Sequence, residues 1–168
     1  MDERKYIEWY KFIRLSQMDI QRAVQTLVIL HRYKKNDVRY ALLRDFVVSY
    51  ARPSVGSKGR EIKKHILKLK HVPANQRELH GYMEKRHQVF AHNDLKHRDP
   101  AIANWSSPEK PWFPMSFKGS NYDKLDAKHA DMLDLAETVL SNINDEIAKM
   151  EPRLLLLSQQ MAQKLFFT

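Results

Sequence analysis

Apolar residues recur at spacings of three and four along most of this 168-residue chain, and this periodicity constrains the fold more than any other feature. Such spacing places the apolar side chains on one face of a helix. Strand-like alternation is almost absent, and the chain contains only four glycines. With 43% hydrophobic residues it can bury the core of one ordinary domain. The sequence therefore predicts a single all-α domain over residues 1–168.

The periodic stretches predict an up-and-down bundle of four main helices, into which a short basic helix and a long loop are inserted. Asn36 or Asp37 is expected to cap the second helix. Pro53, Pro73 and Pro152 are expected to end or interrupt helices, because proline lacks the N–H group and clashes with the preceding turn. The main helices are expected at about residues 3–31, 36–52, 75–92 and 123–149, and the basic helix at 58–71.

Charge is distributed unevenly along the chain, whose formal net charge is +9. Residues 58–71 hold six lysines and arginines against one glutamate, whereas residues 123–149 hold seven acids against three bases. A basic surface attracts polyanions, of which nucleic acid is the commonest. The basic helix, in which Ile62, Ile66 and Leu69 are expected to face inward, is therefore either a solvated face or a track for an RNA backbone.

Composition also argues against several kinds of site. The chain has no cysteine, so it has neither disulfides nor thiolate metal ligands. Its apolar runs are too short to span a membrane, and we expect a cytoplasmic protein. His87, His92 and His97 recur every five residues, whereas metal ligands on one helix face need spacings of three or four. We expect no metal and no cofactor.

Residues 95–122 lack periodicity and contain Pro100, Pro108, Pro111 and Pro114, which predicts a long proline-rich loop. Four aromatic residues lie in this loop. They either pin the loop to the bundle or form a wall on which bases stack. These aromatic residues are Trp105, Trp112, Phe113 and Phe117.

The string Arg86-His87-Gln88-Val89-Phe90-Ala91-His92-Asn93-Asp94 carries the most chemical information. Arg86 falls on a stripe with Leu79, Met83 and Phe90, at spacings of four, three and four. A guanidinium among large apolar groups is costly unless it meets an anion. Three partners are open: an internal carboxylate such as Asp45, a second subunit, or a phosphate.

Arg86 and His92 together suit chemistry on a phosphodiester. Histidine transfers protons near neutral pH, and arginine holds two phosphate oxygens at once. RNA supplies its own nucleophile, the 2′-hydroxyl, so cleavage needs no metal. Six helical residues rise about 9 Å and turn the two side chains about 120° apart. A homodimer that combines the two groups from both subunits in one cleft satisfies this geometry. The alternative is that Arg86 is structural and that His92 interacts with the helix dipole.

The arrangement Arg86-His87-x4-His92 resembles the signature of the HEPN superfamily (higher eukaryotes and prokaryotes nucleotide-binding). The segment Phe90–Asp94 looks like a variant of abortive-infection HEPN proteins of bacteria. Leu42-Leu43-Arg44-Asp45 and Tyr50-Ala51-Arg52-Pro53 also resemble such proteins, although Ser54 stands where they usually have phenylalanine. The resemblance implies a dimeric helical bundle, often a metal-independent ribonuclease. It also implies that Arg86 and His92 are catalytic and that His87 orients or assists.

The predicted function is a metal-independent endoribonuclease that acts as a toxin or phage-defence effector, with RNA, a second copy and an antitoxin protein as partners. The alternatives are a non-catalytic HEPN-like module that binds a nucleotide or a protein, and a helical interaction protein in which Arg86 is purely structural. The residues expected to contact the substrate are Lys85, Asn93, Asp94, Arg52, Lys63 and Lys64.

Overall fold

A computed structural model of the protein describes residues 2–55, 67, 69–91, 101–107, 109–116 and 122–166, with side chains as far as residue 159. The described chain is mostly helical, as the sequence predicts. The helices are α1 (Glu3–Leu30), α2 (Asn36–Ala51), α3 (Arg77–Ala91), α4 (Tyr122–Asp126) and α5 (His129–Phe166). Two 3-10 turns, Leu69–His71 and Ala74–Gln76, precede α3, and strands β1 (Ala101–Ile102) and β2 (Met115–Ser116) follow it.

The core forms between helices that contact one another along their apolar faces. α1 packs against both α2 and α5, and α2 also packs against α3. Six apolar residues of α4 and α5 recur at spacings close to whole helical turns, which predicts one buried stripe, and all six are buried. These residues are Leu125, Met132, Ala136, Val139, Ile143 and Ile147. The described helices do not include one that is both long and apolar enough to cross a membrane.

The predicted bounds of α1, α2 and α3 agree with the structure to within about two residues. The capping prediction for α2 is wrong, since its N-cap is Lys35, which forms no side-chain capping hydrogen bond. Arg39, in the first turn of α2, instead donates to both carboxylate oxygens of Asp126, at 2.5 and 2.7 Å. This bidentate pair joins α2 to α4, and tertiary contacts rather than a cap fix the start of the helix.

The predicted break at Pro152 is wrong, because α5 continues through this residue to Phe166. The predicted helix over 123–149 is instead divided at residues 127–128, where a turn separates α4 from α5. Contacts with α1 lie on both sides of Pro152. The Tyr6 hydroxyl donates to the Met150 carbonyl at 3.1 Å, and Arg153 lies 4.4 Å from the centre of the Tyr6 ring. Packing against α1 therefore outweighs the local cost of proline.

Most of the predicted basic helix, including Ile62, Lys63, Lys64 and Ile66, lies outside the described residues. Where the structure does describe this segment, the prediction that Leu69 faces inward is wrong, since Leu69 is exposed. Leu67, Val72 and the side chain of His71 are buried instead. The 3-10 geometry of Leu69–His71 changes the periodicity, so a 3.6-residue repeat cannot be extended through it.

The proline-rich segment contains a hairpin where the sequence predicts a loop. Ala101 pairs with Ser116 and Ile102 with Met115 in an antiparallel ladder. Trp105, Trp112 and Phe113 are all exposed, so the prediction that they pin the segment to the helices is wrong for these three. Phe117 lies outside the described residues.

Candidate functional site

Arg86 lies in the last two turns of α3, beside the buried stripe of that helix rather than on it. The buried residues are His80, Met83, His87 and Phe90, while Arg86 is half-buried. Met83 and Phe90 of the predicted stripe are buried, whereas Arg86, about 60° around the helix from Met83, lies at the edge of the buried face. The predicted placement of Arg86 on the apolar stripe is therefore wrong, and the guanidinium is partly accessible to solvent.

Tyr82 holds the Arg86 side chain one helical turn away. Arg86 Nε donates a hydrogen bond to the Tyr82 hydroxyl at 3.0 Å, and the guanidinium carbon lies 5.1 Å from the centre of the tyrosine ring. Both contacts follow from the i, i+4 spacing on one helix. Within the described residues, no carboxylate forms an ion pair with Arg86. The contacts orient the side chain without neutralising its charge.

The internal carboxylate considered as a partner of Arg86 is engaged elsewhere. Asp45 Oδ1 accepts from Arg22 Nη2 at 2.7 Å, and Asp45 Oδ2 accepts from Arg22 Nε at 3.3 Å and from the Thr26 hydroxyl at 2.9 Å. These contacts join α2 to α1. The alternative in which Asp45 neutralises Arg86 is therefore wrong.

The last turn of α3 is fixed by contacts around Phe90. Arg44 Nη2, from α2, donates to the Phe90 carbonyl at 3.0 Å. The Phe90 ring stacks on Tyr122, with centroids 5.6 Å apart, and Tyr122 stacks on Tyr40 at 4.5 Å. The C-terminal carbonyls of a helix carry partial negative charge, which repels anions. Arg44 places a cation at this end of α3 and offsets that repulsion.

The sequence did not identify Arg44 and Tyr82 as site residues, although it carries a signal for each. Tyr82 precedes Arg86 by four residues, the spacing at which helical side chains meet. Arg44 lies in the Leu42–Asp45 segment that resembles HEPN proteins. That segment approaches the motif only through the packing of α2 on α3, which the sequence does not specify.

The other predicted site residues fall into three groups. Lys85 is exposed on α3, and His87 is buried, with 7% of its surface accessible. Arg52 forms an ion pair with Asp19 at 2.6 Å. Because Tyr50 contacts His80 while Arg44 contacts Phe90, the two helices run antiparallel, and Arg52 lies at the opposite end of this pair from Phe90. The structure therefore does not bring Arg52 to the motif. His92, Asn93, Asp94, Lys63 and Lys64 lie outside the described residues.

A buried polar pair supports the N-terminal part of α3. Tyr50 Oη lies 2.9 Å from His80 Nδ1, and His80 Nε2 lies 3.4 Å from Glu84 Oε1. Burial lowers the pKa of His80, although Glu84 opposes this effect. Burial also raises the pKa of Tyr50, to which the charge of Glu84 adds. Both groups are therefore neutral near pH 7, which suits a hydrogen bond that locks α3 to α2.

An open cleft of about 440 Å³ lies next to Tyr82, between α3 and the start of α5. Its lining contains three acids, Glu78, Asp131 and Asp134, against one base, Lys128. Gln76 donates to Asp134 across the cleft. An acidic lining repels phosphate and attracts cationic groups. An anion is therefore disfavoured in this cleft.

Glu146 on α5 is the centre of a polar cluster that joins three parts of the chain. Trp9 Nε1 donates to it at 2.7 Å, Lys70 Nζ lies 2.7 Å away, and His71 Nε2 also contacts it. Burial acts to raise the pKa of Glu146, but the hydrogen bonds from Lys70, Trp9 and His71 outweigh burial and lower the pKa to about 2. A second cleft of about 400 Å³ adjoins this cluster.

The described residues contain no group of three histidines or acidic residues placed to hold a metal ion. Comparison with known proteins adds no relationship. No family model matches the chain, and no curated protein or solved structure is significantly similar to it.

Proposed function

We propose that this chain is a metal-independent endoribonuclease of the HEPN type, built on an up-and-down helical bundle, and that it acts in the cytoplasm as a toxin or phage-defence effector. Arg86 and His92 carry the reaction in this proposal. Two observations support the proposal: the sequence motif that contains these residues, and the contacts of Arg86 in the described part of the chain.

One observation carries the proposal: the Arg86 guanidinium is oriented but not neutralised. Its Nε donates to the Tyr82 hydroxyl at 3.0 Å, and Asp45 is occupied by Arg22 and Thr26. A half-buried arginine with neutral partners keeps its charge for an anion. A phosphate group, whose two oxygens match the geometry of the guanidinium, is a suitable anion.

The proposed reaction is an internal phosphoryl transfer. His92 accepts the proton of the 2′-hydroxyl, and the 2′-oxygen attacks the adjacent phosphorus. The bond from phosphorus to the 5′-oxygen breaks, and the leaving oxygen takes up a proton. The products are a 2′,3′-cyclic phosphate and a 5′-hydroxyl end. Arg86 stabilises the negative charge that develops on the phosphoryl oxygens.

The other residues have supporting roles in this mechanism. Arg44 offsets the negative end of the α3 dipole, where the substrate phosphate must approach. His87 is buried, which favours a role in positioning α3 rather than direct contact with RNA. An ideal helix extended from position 86 to 92 would rotate the two side chains about 120° apart, which favours a cleft shared by two subunits.

The decisive experiment incubates the purified protein with RNA in EDTA. Wild-type protein is expected to cleave and to leave cyclic phosphate ends. Arg86→Ala is expected to lower kcat by about 10²–10³-fold, the usual effect of removing a transition-state donor. His92→Ala is expected to lower kcat by about 10²–10⁴-fold, the usual contribution of a general acid or base.

Arg77→Ala is the matched control, because Arg77 is an exposed arginine at the other end of the same helix. Its activity should remain within about twofold of wild type if local placement, rather than net charge, governs cleavage. Cleavage that survives in both the Arg86 and His92 variants would refute the proposed mechanism.

A second candidate function is a non-catalytic HEPN-like module that binds a protein or nucleotide partner. The acidic cleft beside Tyr82 favours it, since Glu78, Asp131 and Asp134 suit a cationic protein segment better than RNA. An antitoxin could occupy the same cleft in an active toxin. RNA binding or protein capture without cleavage in the EDTA assay would support this second function.

A further inference from the structure

Residues 101–107 and 109–116 form an antiparallel hairpin. Beyond the two strands, the Ala103 amide donates to the Pro114 carbonyl at 3.0 Å and the Trp105 amide donates to the Trp112 carbonyl at 2.9 Å. The ladder ends in a bridge between Ser107 and Lys110. We refer to residues 101–107 and 109–116 as the aromatic hairpin.

The aromatic hairpin exposes a large amount of apolar surface. Five of its large side chains are between 52% and 68% exposed. A fully buried aromatic side chain covers about 150–250 Å², so five large residues that are more than half exposed leave on the order of 500 Å². The largest apolar patch on a typical monomer covers about 300–600 Å² and is often functional, so the hairpin exposes as much apolar surface as such a patch. The five residues are Ile102, Trp105, Trp112, Phe113 and Met115.

These residues occupy both faces of the hairpin. Ile102 pairs with Met115, and strand alternation places Phe113 on the same face as Met115. Trp105 lies three residues after Ile102 and Trp112 three residues before Met115, so both tryptophans lie on the opposite face. Their rings meet edge to face, with centroids 5.2 Å apart. An occupant therefore has to cover both faces or pair along the edge of the hairpin.

Charge and shape argue against RNA and against a membrane as this occupant. Lys110 is the single base in the described part of the hairpin, and Glu109 lies beside it. Proteins that bind single-stranded nucleic acid usually combine stacking aromatic side chains with a basic groove, and this surface lacks the basic part. Insertion into a bilayer would bury these two charged residues at the turn first, which is costly. A low density of charge with exposed tryptophan, phenylalanine and methionine is typical of a protein interface.

We propose that the aromatic hairpin pairs with the same hairpin of a second copy of this chain. Two identical strands that pair antiparallel are related by a two-fold axis, so an open strand edge is complementary to itself. β1 and β2 pair with each other, and each has an outer edge without a strand neighbour in the described part of the chain. The two faces together offer at most about 500 Å² of apolar area per copy, against the roughly 800 Å² that one side of a standard interface buries.

The net charge of the chain favours this location for a self-contact. Each copy carries a formal charge of +9, so two copies repel each other over most of their surfaces. In the hairpin Glu109 and Lys110 cancel. Contact there adds no local repulsion between like charges. The inference does not depend on ribonuclease activity, because the contact would form in an inactive chain as well.

The test measures the mass of the full chain by sedimentation velocity from about 1 to 50 µM, at low and at high NaCl. Wild type is expected to dimerise, and the dissociation constant is expected to fall as salt rises, because salt screens the repulsion between cationic bodies. Trp105→Ser combined with Trp112→Ser is expected to weaken dimerisation at least tenfold and to leave the melting temperature within about 2 °C, because both residues are exposed.

Leu155→Ser combined with Leu156→Ser is the matched control, since these α5 leucines are equally exposed and lie outside the hairpin. This variant should dimerise like wild type. A monomeric wild type, unchanged dimerisation in the tryptophan variant, or a dissociation constant that rises with salt would overturn the inference. Loss of RNA affinity with dimerisation intact would also overturn it, by assigning the hairpin to base stacking. Loss of cleavage in EDTA with an intact dimer would instead refute only the proposed function.

Discussion

Glu146 shows how much a single residue can organise in this protein. Its carboxylate accepts from Trp9 on α1, from Lys70 and from His71, and 16% of its side chain is exposed. The segment Leu69–His71 makes this contact with α5 directly before the chain enters α3. Glu146 therefore helps to fix the approach to the helix that carries Arg86.

Glu146→Gln is expected to lower the free energy of unfolding at pH 7 by about 1.5–3 kcal/mol, the usual cost of losing hydrogen bonds to a charged group. The pKa of Glu146 is lowered from 4.5 to about 2 in the folded protein. The contribution of ionised Glu146 to the free energy of unfolding is therefore complete above about pH 4.5 and is lost as the pH falls toward 2. Urea unfolding of wild type and variant between pH 3 and 7 should show the difference narrowing below pH 4.5.

Glu137→Gln, an exposed substitution on the same helix, is the control for this comparison. It is expected to change stability by less than about 0.5 kcal/mol. A gap between wild type and Glu146→Gln that stays constant down to pH 3 would show that the ionised carboxylate is not the source of the stability.

Helix α5 continues through a proline, which shows how packing can stabilise an element against its local sequence. Pro152 is exposed and cannot donate to the carbonyl of Ala148, one turn earlier. The contacts of Tyr6 with Met150 and Arg153 hold the helix on either side of it. Tertiary packing here outweighs a strong local preference, which explains why the predicted break is wrong.

Pro152→Ala is expected to raise the free energy of unfolding by about 1–3 kcal/mol, because it restores a helical donor and removes the ring clash. Urea unfolding followed by circular dichroism measures the change. Ser141→Ala, at an exposed position of α5, is the control and should gain no more than about 0.5 kcal/mol. Destabilisation by Pro152→Ala would mean that the contacts of Tyr6 require the proline geometry.

At the scale of the whole molecule, the separation of charge is the feature most relevant to RNA. The acidic cleft lined by Glu78, Asp131 and Asp134 lies on one side of Tyr82, and Arg86 and Arg44 lie toward the C-terminal end of α3. These two arginines thus lie outside the lining of the acidic cleft. Single-stranded RNA is expected to follow the basic side.

This arrangement predicts RNA binding that weakens steeply with salt. The logarithm of the affinity should fall with the logarithm of salt concentration by about 0.7 per phosphate contact, so four contacts cost more than tenfold between 50 and 200 mM. Arg86→Ala protein, which is expected to bind without cleaving, permits the measurement by fluorescence anisotropy. An affinity that is flat across this range would contradict an electrostatic track for RNA.

The sequence by itself determined the helical class and most of the core. Stripes such as Leu43, Val47 and Tyr50 are buried as their spacing predicts, because burial of one helix face depends on local periodicity. The candidate motif from Arg86 to His92 was likewise visible in the sequence alone. These properties depend on residues close together along the chain.

Only the tertiary structure decided how the residues around the motif are paired. Asp45 bonds to Arg22 rather than to Arg86, Arg44 reaches the Phe90 carbonyl, and the hairpin exposes its tryptophans. Each of these outcomes depends on how helices approach one another or on pairing across a turn. Such contacts join residues far apart in sequence, and periodicity along one segment carries no information about them.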